Sequence, residues 1–232
     1  MEEQHVETIS VILAAYNEVD NIEAVVNEIQ DVLTSLRVPT ELLIVDDGSL
    51  DGTGEVADEL QRRYQNVRVV HHGANQGLGG VYRTGLREAV GEFVTFFPAD
   101  GQFPASIIAN FFALIVDHEL VLGYIPQRKS SIVALGLSAA ERVIYRALFG
   151  RFPRFQGIFM VRRSILAEIP LVSDGRGWAV SMELILRISR GPYRVISAPN
   201  ELRPRLSGQS KVNNFRNIVA NLKQVLVLRT KL

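Results

Sequence analysis

"ELLIVDDGSLDGT", residues 41–53, carries the key to the chain's architecture. Leu42-Leu43-Ile44-Val45 is an unbroken apolar run of strand length, the composition of a strand covered on both faces rather than one. Asp46-Asp47-Gly48-Ser49 then stops it with turn-forming residues. "GEVADELQRRY" (54–64) follows as a helix. The unit is strand, acidic turn, helix. Asp46 to Ser49 has a bland use as a turn capping the next helix, and a second use as part of a ligand crevice, because open α/β sheets bind ligands beyond the carboxyl ends of their strands.

The same unit recurs outward in both directions. "TISVILAAY" (8–16) is a β-branched apolar run followed by "VDNIEAVVNEIQDVLTSL" (19–36), whose Ile22, Val25, Val26, Ile29, Val32, Leu33 and Leu36 keep helical spacing. "VRVVHH" (67–72) reads as a third strand, "GANQGLGG" (73–80) as a loop and "VYRTGLREAV" as a helix. "EFVTFF" is a fourth strand, followed by a helix from about Pro104 to Val116, and "ELVLGYI" (119–125) is a fifth strand. Strands alternating with helices predict an α/β protein with a mostly parallel sheet and helices on both faces. Past residue 130 the rhythm changes. "SIVALGLSAAERVIYRALFG" reads as a long helix, "FQGIFMVRRSILAEI" as a strand running into a short helix, "GWAVSMELILRISRG" as a helix, "YRVISAP" as a strand and "VNNFRNIVANLKQVLVL" as a final amphipathic helix. No repeats or linkers interrupt the 232 residues, so one domain is expected, with a nucleotide-sugar-binding part over 1–125, an acceptor part over 126–212 and the amphipathic helix over 213–232 once the chemistry below is added.

Composition narrows the chemistry. The chain has no cysteine, which excludes disulfides and thiolate metal sites, and its four histidines form no HExxH pair. The start "MEEQHVET" is acidic and lacks the apolar core of a signal peptide. No apolar run reaches the roughly 20 residues needed to span a bilayer. A cytoplasmic protein, soluble or peripherally membrane-associated, is therefore expected. The net charge of zero conceals an asymmetry: residues 1–125 hold 6 Lys+Arg against 20 Asp+Glu, and residues 126–232 hold 19 against 5. The basic half is suited to an anionic partner such as phosphate or a membrane surface. A nucleic-acid partner is not expected, because the basic residues are not interleaved with aromatics for stacking.

Three short stretches fall at strand ends: "YNE" (16–18), "DDGSLDGT" (46–53) and "PADGQ" (98–102). In a parallel sheet these ends share one edge and can converge on one crevice. There is no GxxxxGK[ST], so a P-loop is excluded. The nearest approach to a dinucleotide fingerprint, Gly77-Leu78-Gly79-Gly80-Val81-Tyr82, follows the third strand and lacks the last glycine.

"VILAAYNEVDNI", "ELLIVDDGSLDGT", "NQGLGGVYRTGL" and "FFPADGQFP", in that order, resemble the family-2 glycosyltransferases of the GT-A fold. "RPRLSGQSK" is similar to the R-x-x-G-x-S-K element of the polyprenyl-phosphate branch, the dolichol-phosphate mannose synthases. The resemblance implies a hexosyltransferase taking a sugar from a nucleotide-diphosphate sugar and passing it, with inversion, to a polyprenyl phosphate. It implies that Ala15, Tyr16, Glu18 and Asp46 hold the nucleoside, and that Asp47, Ser49, Asp51, Asn75 and Gly77 shape the donor site beside it. Asp100 and Gln102 would bind Mg²⁺ or Mn²⁺ on the donor diphosphate, and Arg205, Ser210 and Lys211 would neutralise phosphates at the reacting centre. Arg128, Arg142 and Arg146 would meet the acceptor phosphate. The sequence departs from the family in three places. Pro98 stands where the family's D-x-D begins, Ala14 stands where proline is usual, and "RFPRFQGIFMVRR" (151–163) replaces an Asp-x-x-Ser-Gly-Phe-Arg run.

A lipid phosphate is already an anion and needs no strong base to attack. A sugar hydroxyl does need one. Glu183 is the carboxylate in the right region for that alternative acceptor; its structural use would be an ion pair with Arg187, one helical turn on. A third alternative, suggested by Pro98, is a nucleotide-sugar binding protein that has lost catalysis. In the last helix Phe215, Ile218, Val219, Leu222, Val225 and Leu226 form an apolar stripe, fit for a membrane surface, for the core, or for the second subunit of a homodimer.

Overall fold

The structure, a computed structural model, describes residues 7–126, 146, 149–150, 153, 155–204, 224 and 226–230. In chain order these form β1 (Ile9–Ala15), α1 (Ile22–Leu36), β2 (Thr40–Asp46), α2 (Thr53–Arg63), β3 (Val67–His71), α3 (Gly77–Glu88), β4 (Phe93–Pro98), α4 (Ser106–Ile115), β5 (Leu120–Tyr124), β6 (Phe159–Arg162), a 3₁₀ turn (Arg163–Ala167), α5 (Ala179–Arg190) and β7 (Val195–Pro199). The seven strands make one sheet in the order β3-β2-β1-β4-β6-β5-β7, parallel throughout except for β6, which runs antiparallel to both β4 and β5.

The unbroken apolar runs are explained by what covers them. Alternate residues of β1 and β2 enter two separate cores. Ile9, Val11, Leu13, Leu42 and Ile44 pack with Val26, Ile29 and Leu33 of α1 and with Phe111 of α4. Ile12, Leu43 and Val45 pack with Val81 and Tyr82 of α3 and with Val180 and Leu184 of α5. Both faces of the centre of the sheet are therefore dry, and helices lie on both sides as the alternation predicts.

One boundary moved. α3 begins at Gly77, inside the stretch expected to be loop. The reason is tertiary: the Asp47 carboxylate accepts the backbone amides of Gln76 and Gly77, each at 2.8 Å, supplying partners for the unpaired N–H groups of a helix start. Glycine composition alone favours a loop; an acidic side chain delivered from β2 reverses it.

Candidate active site

Strand register brings the three acidic stretches to one edge. Ala15 pairs with Asp46, Ala14 with Pro98, and Asp46 with His71. Main-chain bonds carry the pairing just past the strands: the Asp47 amide donates to the Ala15 carbonyl at 2.8 Å, Ala99 to Ala14 at 3.0 Å and His72 to Asp46 at 2.9 Å.

The "YNE" and "DDGSLDGT" turns are knitted to each other. The Asn17 amide donates to Ser49 Oγ (2.9 Å), the Leu50 amide to Asn17 Oδ1 (2.8 Å) and the Glu18 amide to Thr53 Oγ1 (2.8 Å). Asn17 takes a positive φ of 50°, a conformation that asparagine tolerates better than most residues. Asp51 spans the junction, accepting the Val19 amide on one oxygen and the Thr53 amide on the other. Burial would raise its pKa, but the bonds from Thr53 and Val19 outweigh that and hold it below the ordinary aspartate value. Glu18 is nearly buried, with Oε2 accepting Asn21 Nδ2 at 2.6 Å.

Asp46 and Asp47 are each backed by one of two consecutive histidines. Asp46 Oδ2 lies 3.0 Å from His71 Nδ1, and its Oδ1 accepts the Ser49 amide. Asp47 Oδ1 lies 2.6 Å from His72 Nδ1, and the far nitrogen of His72 lies 2.9 Å from Thr84 Oγ1. With the Gln76 and Gly77 amides, Asn75 Nδ2 adds a fourth bond to the Asp47 carboxylate at 2.8 Å. With 4% and 2% exposure, neither aspartate is a surface turn residue.

At the end of β4, Asp100 Oδ1 accepts the Gln102 amide at 3.1 Å across Gly101, whose φ is 71°. Pro98 costs the sheet nothing here. The Ala99 amide points to β1, so position 98 faces the β6 side, and β6 pairs with β4 only as far as Thr95. The Gln102 carbonyl accepts the Arg203 amide at 2.7 Å, and the Arg203 guanidinium reaches Glu28 of α1 at 3.1 Å. Glu28 also accepts the Ala105 amide just before α4. The chain leaving β7 is thus fastened to the "PADGQ" turn two residues before Arg205. Arg205, Ser210, Lys211, Arg128 and Arg142 lie outside the described residues. Arg146 is exposed, and the described contacts do not join it to this edge.

In place of an open carboxylate on a crevice, α5 holds a fully buried one, Glu183. It accepts the amides of Val172 (3.0 Å) and Ser173 (2.7 Å) and Arg187 Nε (2.8 Å), the ion pair expected as its structural use with two loop amides added. The loop it holds, 172–178, then crosses to the strand-end edge. The Gly79 amide donates to the Arg176 carbonyl, and Arg176 Nη2 reaches Asn75 O and Oδ1 at 2.7 and 2.8 Å. A Cβ on Gly79 would collide with the Gly175 carbonyl, so this glycine serves a close helix–loop approach.

His71, His72, Arg176 and Arg203 were missed from the sequence. The signal for the histidines was their position: two consecutive side chains ending the strand next to the one that ends in Asp46-Asp47. Leu226 of the expected stripe is 52% exposed, whereas Leu228 is buried with Phe149, Met182 and Leu186. The rest of the stripe lies outside the described residues.

Residues 10–169 match the glycosyl transferase family 2. The chain belongs to that family. Among curated proteins it is similar to the dolichol-phosphate mannosyltransferase of Saccharomyces cerevisiae, 28% identical over 93% of this chain and 85% of the yeast protein. Among solved structures it is similar to mannosyl-3-phosphoglycerate synthase from Rubrobacter xylanophilus (19% identity, 97% of this chain and 75% of the other, TM-score 0.72). It is also similar to the mannosyltransferase PcManGT from Pyrobaculum calidifontis in complex with GDP-Man and Mn²⁺ (18%, 98% and 64%, TM-score 0.64). The expected GT-A fold and glycosyltransferase class are both met, and in this family 2 enzyme the strand-end edge is the candidate active site.

Proposed function

We propose that this family 2 glycosyltransferase moves a hexosyl group from a nucleotide-diphosphate sugar to a polyprenyl phosphate at the cytoplasmic face of a membrane. The observation that carries the reading is the Arg203–Gln102 bond, which fastens the chain to the "PADGQ" turn two residues before Arg205. Likeness to the yeast mannosyltransferase over 93% of the chain points the same way. Among the described residues no helix is long and apolar enough to cross a membrane.

In this reading Ala15, Tyr16, Glu18 and Asp46 bind the nucleoside, and Asp47, Ser49, Asp51, Asn75 and Gly77 keep the turns around it in place. The Asp100 carboxylate and the Gln102 side-chain carbonyl are hard oxygen donors on one turn and fit Mg²⁺ or Mn²⁺. A cation there supplies charge stabilisation for the departing diphosphate. A phosphate oxygen of the acceptor attacks the anomeric carbon from the face opposite the leaving group. The new C–O bond forms as the sugar–diphosphate bond breaks, and configuration inverts. Arg205 and Lys211 add positive charge where the leaving oxygen gains negative charge, and Arg128, Arg142 and Arg146 draw in the acceptor phosphate. No proton has to leave the acceptor, so Glu183 is not needed as a base.

The test is transfer from radiolabelled GDP-mannose and UDP-glucose, with Mn²⁺, to a short-chain polyprenyl phosphate. The expected product is an organic-phase glycosyl phosphate labile to mild acid. Product on free sugar acceptors but none on the lipid phosphate would favour hydroxyl acceptors. Nucleotide binding with no product on any acceptor would mark a catalytically impaired binding protein.

A further inference from the structure

We propose that His71 is a positioning residue for the donor, clamping the Asp46 carboxylate through Nδ1 while Nε2 is held by Asp58. The inference rests on the proposed role of Asp46 in binding the nucleoside.

Three elements build the clamp. β3 pairs with β2 so that His71 stands beside Asp46. α2 brings Asp58 to the opposite side of the ring, with Oδ1 3.0 Å from Nε2. The first turn of α2 closes over the pair: a Cβ on Gly54 would stand 3.0 Å from Asp46 Oδ2 and 3.4 Å from His71 Cε1. Asp46 is buried, and its two oxygens are separately held by Ser49 and His71, so the carboxylate has one orientation. His71 itself is partly open, with 43% of its side chain exposed.

The charged groups facing the imidazole are Asp46 from β2 and Asp58 from α2. An imidazole donates from both nitrogens only when it is protonated. The bond to Asp46 raises the pKa above the ordinary histidine value, partial desolvation works against it, and Asp58 raises it further. The clamp is therefore complete at lower pH and loses one of its two bonds as pH rises through that raised value. Donor affinity falls over the same range.

The measurement is calorimetric affinity for GDP-mannose and for UDP-glucose, with Mg²⁺, from about pH 6 to about pH 9. The diphosphate of a sugar nucleotide has no group titrating in that interval. Wild type should weaken roughly three- to tenfold with rising pH, the loss of one hydrogen bond. His71→Asn places an amide N–H near the position of Nδ1 and should bind the donor with no pH dependence. His71→Ala should bind weakly at every pH. Asp58→Asn should shift the midpoint to lower pH, and NMR of the His71 imidazole should titrate with the same midpoint. A pH-independent wild type, or the same pH dependence in His71→Asn, overturns the inference. Asp46→Asn separates this from the underlying reading: undiminished donor binding there, or no binding of either probe to wild type, overturns the role of Asp46 and this inference with it.

Discussion

Asp100 lies two residues past β4 and shares its turn with Gln102, so its proposed contribution to the reaction can be tested apart from its contribution to the fold. Asp100→Ala removes the bond to the Gln102 amide from a half-buried turn. Its melting temperature should stay near wild type while metal-dependent nucleotide binding disappears in calorimetry and transfer falls by about a hundredfold or more. Pro98→Asp should bind Mn²⁺ at least as tightly as wild type, since a second carboxylate enters where no ladder bond is lost. Glu183→Gln should behave in the opposite way. The carboxylate is fully buried and answers three N–H groups, and an amide turns its own N–H toward some of them. A loss of about 2–4 kcal/mol is expected, read as a drop of several degrees in melting temperature with donor affinity of the folded enzyme kept. A collapse of turnover with unchanged melting temperature would instead make Glu183 the base for a hydroxyl acceptor. At the proposed phosphate-binding stretch, Arg205→Lys should cost more turnover than Lys211→Arg, because a guanidinium meets a phosphate with two parallel bonds and an ammonium acts as a point charge.

At the scale of elements, α3 and the loop 172–178 form one unit across the strand-end edge. Asp47 holds the start of α3, Asn75 holds Asp47, and Arg176 holds Asn75. On its far side the loop is held by Glu183 and by Gln224, whose Oε1 accepts the Gly177 amide at 3.1 Å. Gly79→Ala should push helix and loop apart at a cost of about 1–3 kcal/mol. Limited proteolysis should then cut within 173–177 faster than in wild type, and donor affinity should fall even though residue 79 is not proposed to touch the donor. An unchanged cleavage rate would mean that the loop is held by its other contacts alone.

Over the whole molecule, charge and chemistry divide along the chain. The 20 acidic residues of positions 1–125 include the carboxylates of the strand-end edge, and 19 of the 25 basic residues follow residue 125. Yet the sheet ignores that division. β6 and β7, both from the basic half, complete a sheet begun by the acidic half, and β6 inserts between β4 and β5. The described cations of the second half, such as Arg162, Arg163, Arg176 and Arg203, are therefore built onto the same framework as the strand-end carboxylates, and the proposed attraction to anionic lipid would act on that framework as a whole. Co-sedimentation should show binding to vesicles rich in anionic lipid and release at about 1 M salt, where the Debye length is roughly 3 Å. Equal binding to neutral vesicles, undisturbed by salt, would point to apolar insertion instead.

The sequence alone determined the βα alternation, because continuous apolar runs and helical periodicity are local properties set by two-sided and one-sided burial. It also determined which strand ends carry Glu18, Asp46 and Asp100, since strand ends follow from where each run stops. Tertiary structure alone decided the start of α3, which waits on an Asp47 carboxylate delivered from β2. It decided the enclosure of Glu183 by loop amides ten and eleven residues earlier in the chain. It decided the antiparallel insertion of β6, and the pairing of His71 with Asp46 across 25 residues. These features depend on register between strands, and register is set by packing the whole sheet at once rather than by the residues of any one segment.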